Sequence, residues 1–338
     1  MKIPKLVAIC TAVFFISVGL SILSQDKGVG KWEELKAVTT KDLNKVFFPD
    51  KENGWIVGAG VILKTTDGGK SWEIIKEGTI QDIGFFKDVF FKDKSSGWVV
   101  GGFFYAEESF SPIVMKTKDG GAWVNVDELI KDAKKFYYVN FKEETGWIMG
   151  YPTSYKTTDG GKTWKKLDMK KGIGWFFVSK KIGFCVGDIK LLKTEDGGET
   201  FQEQDISKFL PSPENSSLTG QFFFDDNVGI AVGGITSAGN DTLIVKTEDG
   251  GEGWKVLAQL KGRGYAKKVY FVDKQNGWII TKQHPQEIWS ILHTKDGGKT
   301  WEVQVEKDKA IDDFFFIDKE HAIAIGANGF ILRLAPSK

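Results

Sequence analysis

Past residue 40, short apolar runs alternate with short polar ones, and they come in two recurring kinds. The first is two aromatics, a charged turn and an apolar run ending in glycine: Phe47-Phe48-Pro49-Asp50-Lys51-Glu52-Asn53-Gly54-Trp55-Ile56-Val57-Gly58. It returns around Phe91…Trp98, Phe141…Trp147, Phe177…Phe184, Phe224…Ile230, Phe271…Trp278 and, worn, Phe316…Ile323. Each copy reads as two apolar strands joined by a tight turn. The second kind is Lys64-Thr65-Thr66-Asp67-Gly68-Gly69-Lys70-Ser71-Trp72. It recurs at Lys116–Trp123 (one residue short), Lys156–Trp164, Lys193–Phe201, Lys246–Trp254 and His293–Trp301. An Asp followed by two glycines makes a turn: the carboxylate accepts backbone N–H groups, and glycine takes the φ > 0 that a Cβ opposes. One unit is therefore four short strands. Four antiparallel strands repeated radially make a β-propeller, so the pattern predicts an all-β fold of seven four-stranded blades.

The two ends of the pattern are complementary. Gly30-Lys31-Trp32-Glu33-Glu34-Leu35 resembles the strand after each Asp turn but lacks three strands before it. Phe314–Asp318, Ala322–Gly326 and Phe330–Leu334 supply three strands and no Asp turn. The Trp32 strand is thus expected to complete the last blade and close the ring, removing two exposed sheet edges. With strands numbered 1 to 4 outward, the 1→2 and Asp turns share one face and are nearly uniform. The 2→3 and 4→1 loops share the other, where the insertions fall: Phe103–Pro112, Ile235–Asp241, Lys282–Trp289, Asp127–Lys135 (a candidate short helix) and Asp205–Gly220. Function on a repeated frame sits in its variable loops.

Composition sharpens this picture in a few places. With 338 residues, 41% of them apolar, one large repeat architecture is affordable. The structural Asp-box set is Asp67, Trp72, Asp119, Trp123, Asp159, Trp164, Asp196, Phe201, Asp249, Trp254, Asp296 and Trp301. A net charge of +1, from 46 basic and 45 acidic residues, gives no field toward nucleic acid. Calcium-loop ligand spacing is missing from the Asp turns. The three histidines (His284, His293, His321) show no metal-ligand spacing, and no cofactor motif occurs, so neither a metal nor a cofactor is expected. Cys185 reads as a small buried hydrophobe in a strand.

Residues 1–25 begin with two lysines and then run uncharged from Leu6 to Leu23, the form of an export signal or signal anchor. Bulky Ile9 and the continuing apolar run argue against lipoprotein processing at Cys10. The chain divides into this leader and a propeller over 26–338, expected to be a monomer outside the cytoplasm (periplasm, thylakoid lumen or cell surface).

K-T-x-D-G-G-x-x-W resembles the Asp-box of the BNR repeat superfamily, found in sialidases, sortilin-type receptors and some glucanases. Joined with F-F-x-D-x-x-x-G-W-x-V-G, it is similar to the photosystem II assembly and stability factor family over residues 30 to 334. That resemblance implies a non-enzymatic seven-bladed propeller that helps assemble membrane reaction-centre subunits, with an arginine-lined patch toward its client. This chain departs there. It has only Arg263 and Arg333, and lysine replaces arginine in charge but not in planar, bidentate bonding.

Two arginines also cannot build the three-arginine clamp of a sialidase. A glycosidase of another kind needs two carboxylates at a cleft; Glu107, Glu108, Asp127, Glu128 and Asp241 lie on the variable face, and no spacing selects a pair. The candidate contact is Phe103, Phe104, Tyr105, Glu107, Glu108 and Phe110, joined with Trp289 and the 205–220 loop into an apolar patch suited to a protein partner. The alternative for the aromatics is to fold back over the central channel. The expectation is a non-catalytic scaffold, membrane-associated, binding a membrane-protein client by its variable face; the alternative is a recognition propeller for another protein or a polysaccharide.

Overall fold

The computed structural model describes residues 30–105, 109–126, 130, 133–167, 174–236 and 240–336, with backbone alone at 104–105 and 109–110. Twenty-eight strands form seven four-stranded antiparallel sheets arranged as a propeller. Blade 1 is β2 (Leu43–Phe47), β3 (Gly54–Gly58), β4 (Val61–Thr65) and β5 (Glu73–Glu77), paired in that order. Blades 2 to 6 repeat this plan over residues 85–125, 135–167, 176–205, 216–260 and 265–307. The last blade is β26 (Ile311–Phe316), β27 (Ala322–Gly326), β28 (Ile331–Ala335) and, outermost, β1 (Lys31–Glu34). Trp32 pairs with Leu334 and Glu33 with Arg333, so the ring is closed by chain from both ends of the propeller.

The apolar core lies between sheets rather than at one centre. One cluster joins Trp55, Val57 and Ile62 of blade 1 to Phe86, Val89, Phe91 and Val99 of blade 2. The repeated motifs explain this. The tryptophan after the motif glycine stacks on the second motif phenylalanine of the next blade: Trp55 on Phe91 at 3.6 Å, Trp147 on Phe177 at 3.9 Å and Trp278 on Phe316 at 3.9 Å. The motif glycine must be glycine because a Cβ on Gly97 would sit 2.5 Å from the Phe91 ring. From blades 1 and 3 the indole also donates to the next blade's Asp turn: Trp55 Nε1 to the Gly120 carbonyl at 3.0 Å, Trp147 Nε1 to that of Gly197 at 2.8 Å.

The Asp turns close on themselves. In blade 1, Thr65 Oγ1 donates to Asp67 at 2.8 Å and accepts the Gly69 N–H, while Lys70 and Ser71 donate their N–H groups to the same carboxylate. Burial pushes the Asp196 and Asp296 carboxyls up. The Thr200 and Thr300 hydroxyls and N–H groups outweigh it, and both end at about 2.

Two segments differ from the sequence reading. Phe103–Pro112 is a continuation of the sheet rather than a loop: β7 (Gly97–Tyr105) and β8 (Ser109–Thr117) pair as far as Tyr105 with Ser109. The aromatic residues Phe103, Phe104, Tyr105 and Phe110 have high strand propensity and let the hairpin run on past the blade's edge. Of the proposed 127–135 helix, most lies outside the described residues, and Lys135 already belongs to β10 (Lys135–Lys142).

Candidate functional site

Strand 1, the innermost of each blade, starts on the variable face, so its first residues ring the mouth of the axial channel there. Strand 1 carries a further device. Its register slips by one residue at the same place in six blades, leaving Asn44, Lys87, Tyr137, Thr219, Lys267 and Asp312 as bulged residues. A bulge bends the strand and re-aims its side chain. Asn44 and Thr219 use this to bond the carbonyls of Phe86 and Ala266 in the following blades, and Lys267 pairs with Asp312 of the last blade.

The mouth is both cationic and aromatic. Lys87 lies 4.2 Å over Phe85, Lys135 lies 5.2 Å over Tyr137, and Lys267 and Lys282 each approach the Trp289 ring at 5.3 Å. Burial holds Lys87 below the usual lysine range; Asp312 opposes this, and Lys267 and Lys135 add to it. Tyr151, 56% exposed, is the largest open aromatic at this end of blade 3. Among the described residues, this arrangement shows no pair of carboxylates poised for hydrolysis. It is suited to attracting negative charge and to packing flat groups against lysine-covered rings.

Of the residues singled out from sequence, Phe103 is half-buried and packs with the cluster between blades 1 and 2. Trp289 opens β24 (Trp289–Thr294) and packs with the cluster between blades 6 and 7. They therefore sit in separate clusters, two blade interfaces apart around the ring. The backbones of Phe104, Tyr105 and Phe110 form the hairpin end; Glu107 and Glu108 lie outside the described residues. In the 205–220 segment, Ile206 and Leu210 are buried in the cluster between blades 4 and 5 and contribute nothing to an exposed patch.

Below the mouth lies a feature the sequence reading missed. Lys268, Asp313, Lys45 and Asp88, from blades 6, 7, 1 and 2, form an alternating chain of charge across the ring closure. Lys268 contacts Asp313 directly, and Lys45 lies 4.0 Å from Asp313 and 3.7 Å from Asp88. The carboxylates also accept backbone N–H groups from the next blades, Val46 to Asp313 at 3.0 Å and Val139 to Asp88 at 2.9 Å. Burial raises the Asp88 carboxyl, and Lys45 offsets part of that. The signal was present as pairs of polar residues before the motif aromatics (Asn44-Lys45, Lys87-Asp88, Lys267-Lys268, Asp312-Asp313). Beneath this layer the first motif aromatics form a collar in which Phe315, Phe47 and Phe90 follow one another at 5.4 and 5.1 Å, as do Phe176, Phe222 and Tyr270 at 5.5 and 5.3 Å.

The family described as photosynthesis system II assembly factor YCF48 matches residues 24–102, 76–174 and 173–307. The chain belongs to this family. Within it, the chain is 27% identical over 323 residues to the photosystem II assembly lipoprotein Ycf48 of a Picosynechococcus species, covering 89% of this chain and 87% of that protein. Its fold matches that of YCF48 bound to a D1 peptide with a TM-score of 0.69 at 19% identity, over 93% of this chain and all of the other. YCF48 from Cyanidioschyzon merolae superposes with a TM-score of 0.66 at 19% identity, over 90% and 99% of the two chains. The family is a propeller family, and the chain shares its scaffold from blade 1 to the closing strand. Among the described residues no helix is long and apolar enough to cross a membrane.

Proposed function

We propose that this family member is an exported, non-catalytic scaffold that holds an extramembrane segment of a membrane-protein client at the variable face. The observation that carries the reading is the mouth, where Lys87, Lys135, Lys267 and Lys282 cover Phe85, Tyr137 and Trp289. Lysine supplies there the charge that arginine would otherwise bring, with less geometric demand on the ligand. The YCF48 structure with a bound D1 peptide and the family's description as a photosystem II assembly factor support a photosystem II client. The lysine-led apolar segment 6–23 supports export, and the relative named a lipoprotein supports a membrane tether. The hairpin residues Phe103, Phe104, Tyr105, Glu107, Glu108 and Phe110 and the ring of Trp289 form the proposed contact around that mouth.

The test is capture of the tagged full-length protein from gently solubilised source membranes, beside Lys87→Glu/Lys267→Glu and a variant with Gly/Ser in place of 103–110. Photosystem II subunits captured by the parent and lost in both variants are the expected result. Capture that is equal in all three, or polysaccharide binding without membrane subunits, overturns the assignment of the face or of the client.

A further inference from the structure

The repeats act as controls for one another, and the interface between blades 6 and 7 departs from them in a coordinated way. From blades 1 and 3 the indole after the motif glycine donates to the next blade's Asp turn. The strand-3 lysine reaches the same turn, as Lys156 does to the Asp196 carbonyl at 3.2 Å. An indole that closes an Asp turn donates within that turn, as Trp301 does to the Gly298 carbonyl at 2.9 Å. The last blade has no Asp turn, because its fourth strand is β1 from the other end of the propeller. Trp278 therefore meets no turn in the next blade, and Trp32 has none of its own.

Gln304 stands in for the missing turn. It is the bulged residue of β25 (Glu302–Lys307), at a place where blades 1 and 5 carry Ile75 and Leu257 packed into the core between blades. Its Oε1 accepts from Trp278 Nε1 at 3.1 Å and from Trp32 Nε1 at 3.0 Å. An indole N–H can only donate, so the amide has one orientation, and its Nε2 faces His293 Nδ1 at 3.3 Å as a donor. Nδ1 is then the acceptor, and the ring proton is on Nε2, which is buried without a partner among the described residues. The repeat lysine at this position would set donor against donor; histidine supplies the acceptor. Burial lowers the basicity of the ring most, Lys295 adds to this, and Asp273 opposes it. Glu302 is its cross-strand partner in β25, and the last blade brings the rings of Trp32 and Phe316 to the interface.

We propose that His293, Gln304 and Trp32 form a proton-operated latch on ring closure. Protonation at Nδ1 takes away the acceptor of the Gln304 amide, and the amide cannot turn over without withdrawing its oxygen from both indoles. The protonated ring then carries two N–H groups and no acceptor for either. Lifting β1 from β28 returns water to this site, so acid favours the open edge. The sign follows from a folded value of about 4 against 6.5 in the open state: the latch holds above about 6.5 and weakens as pH falls toward 4. Glu34, the other titrating anchor of β1, is held below its ordinary 4.5 by Lys309 and Lys307, so it changes charge beneath this window.

The test is hydrogen exchange of the full-length protein, followed by mass spectrometry at pH 7, 6 and 5 and corrected for intrinsic rates. Protection of β1 should fall by up to about twentyfold from pH 7 to pH 5, while blades 2 and 3 keep theirs. His293→Gln offers Gln304 an oxygen that takes no proton, and should hold β1 equally at all three values. Gln304→Leu returns the apolar residue of the other blades; it should lower the protection of β1 already at pH 7 and flatten its pH dependence. Long-range ¹⁵N NMR of the His293 ring at pH 7 should find the proton on Nε2. Constant protection of β1 in the parent overturns the proposal, as does a proton on Nδ1, and neither measurement needs a variant to fold. The parent's full pH dependence in a folded His293→Gln or Gln304→Leu protein overturns it as well.

Discussion

At the scale of single residues, the repeated turn shows why Thr and Asp are paired in it. Thr194, 1% exposed, accepts the Gly198 N–H at 2.7 Å and donates to Asp196 at 2.9 Å. Thr194→Val keeps the shape and strands a buried N–H, so it should cost about 1–3 kcal/mol in denaturant unfolding. Titration has a sign at two places. His293 replaces the repeat lysine and stacks on Trp278 at 4.3 Å, and burial lowers it from 6.5 to about 4. The unfolded chain takes up a proton there first, so stability falls as pH drops from about 6.5 and levels off below about 4. The Asp turns act in a lower window. Their folded carboxyls near 2 stabilise fully above the unfolded value of 3.8, and that contribution is lost as pH falls toward 2. Unfolding midpoints measured across pH should show both steps. His293→Gln is expected to remove the upper step and leave the lower one.

At the scale of elements, the interface between blades is the unit of stability. Trp147 stacks on Phe177 at an 11° interplanar angle and donates to Gly197, joining blade 3 to two parts of blade 4. Trp147→Ala should destabilise by about 3–5 kcal/mol, as removal of a large buried aromatic does. Trp147→Phe, which keeps the stack and loses one bond, should cost only about 0.5–1.5 kcal/mol. Equal losses from the two in chemical denaturation would show that packing does not dominate this contact. The β7–β8 hairpin is the element whose form the sequence hid. Aromatic density there suggests a loop with sticky side chains, yet cross-strand pairing carries the strands to Tyr105 and Ser109.

At the scale of the whole molecule, closure is the decisive event. The four-residue β1 covers the edge of β28, and Trp32 shares the Gln304 side-chain oxygen with Trp278, at 3.0 and 3.1 Å. Deleting residues 28–37 should lower the thermal midpoint sharply and increase self-association, because an open edge strand pairs with other chains. An unchanged midpoint by calorimetry would remove closure from the account of stability. On the channel side, the Lys268–Asp313–Lys45–Asp88 chain ties the same seam. Asp313→Asn leaves the partly exposed Lys268 without its anion, though still on the Phe314 carbonyl, and should cost about 1–3 kcal/mol.

Local patterns were enough to determine the strands, the turns, the number of blades and the closing role of Trp32. A period-2 apolar run and an Asp-Gly-Gly turn are specified within a few residues of chain. Which repeat had worn was legible too, at Ile323. The partners were not, since whether Lys45 meets Asp88 and Asp313, or where Phe103 and Trp289 lie around the ring, depends on the angle between sheets far apart in sequence. Only the assembled ring brought Lys268, Asp313, Lys45 and Asp88 of four blades into one line of charge, and only closure by opposite ends of the propeller set Glu33 against Arg333, because both depend on the angle between sheets and not on local pattern.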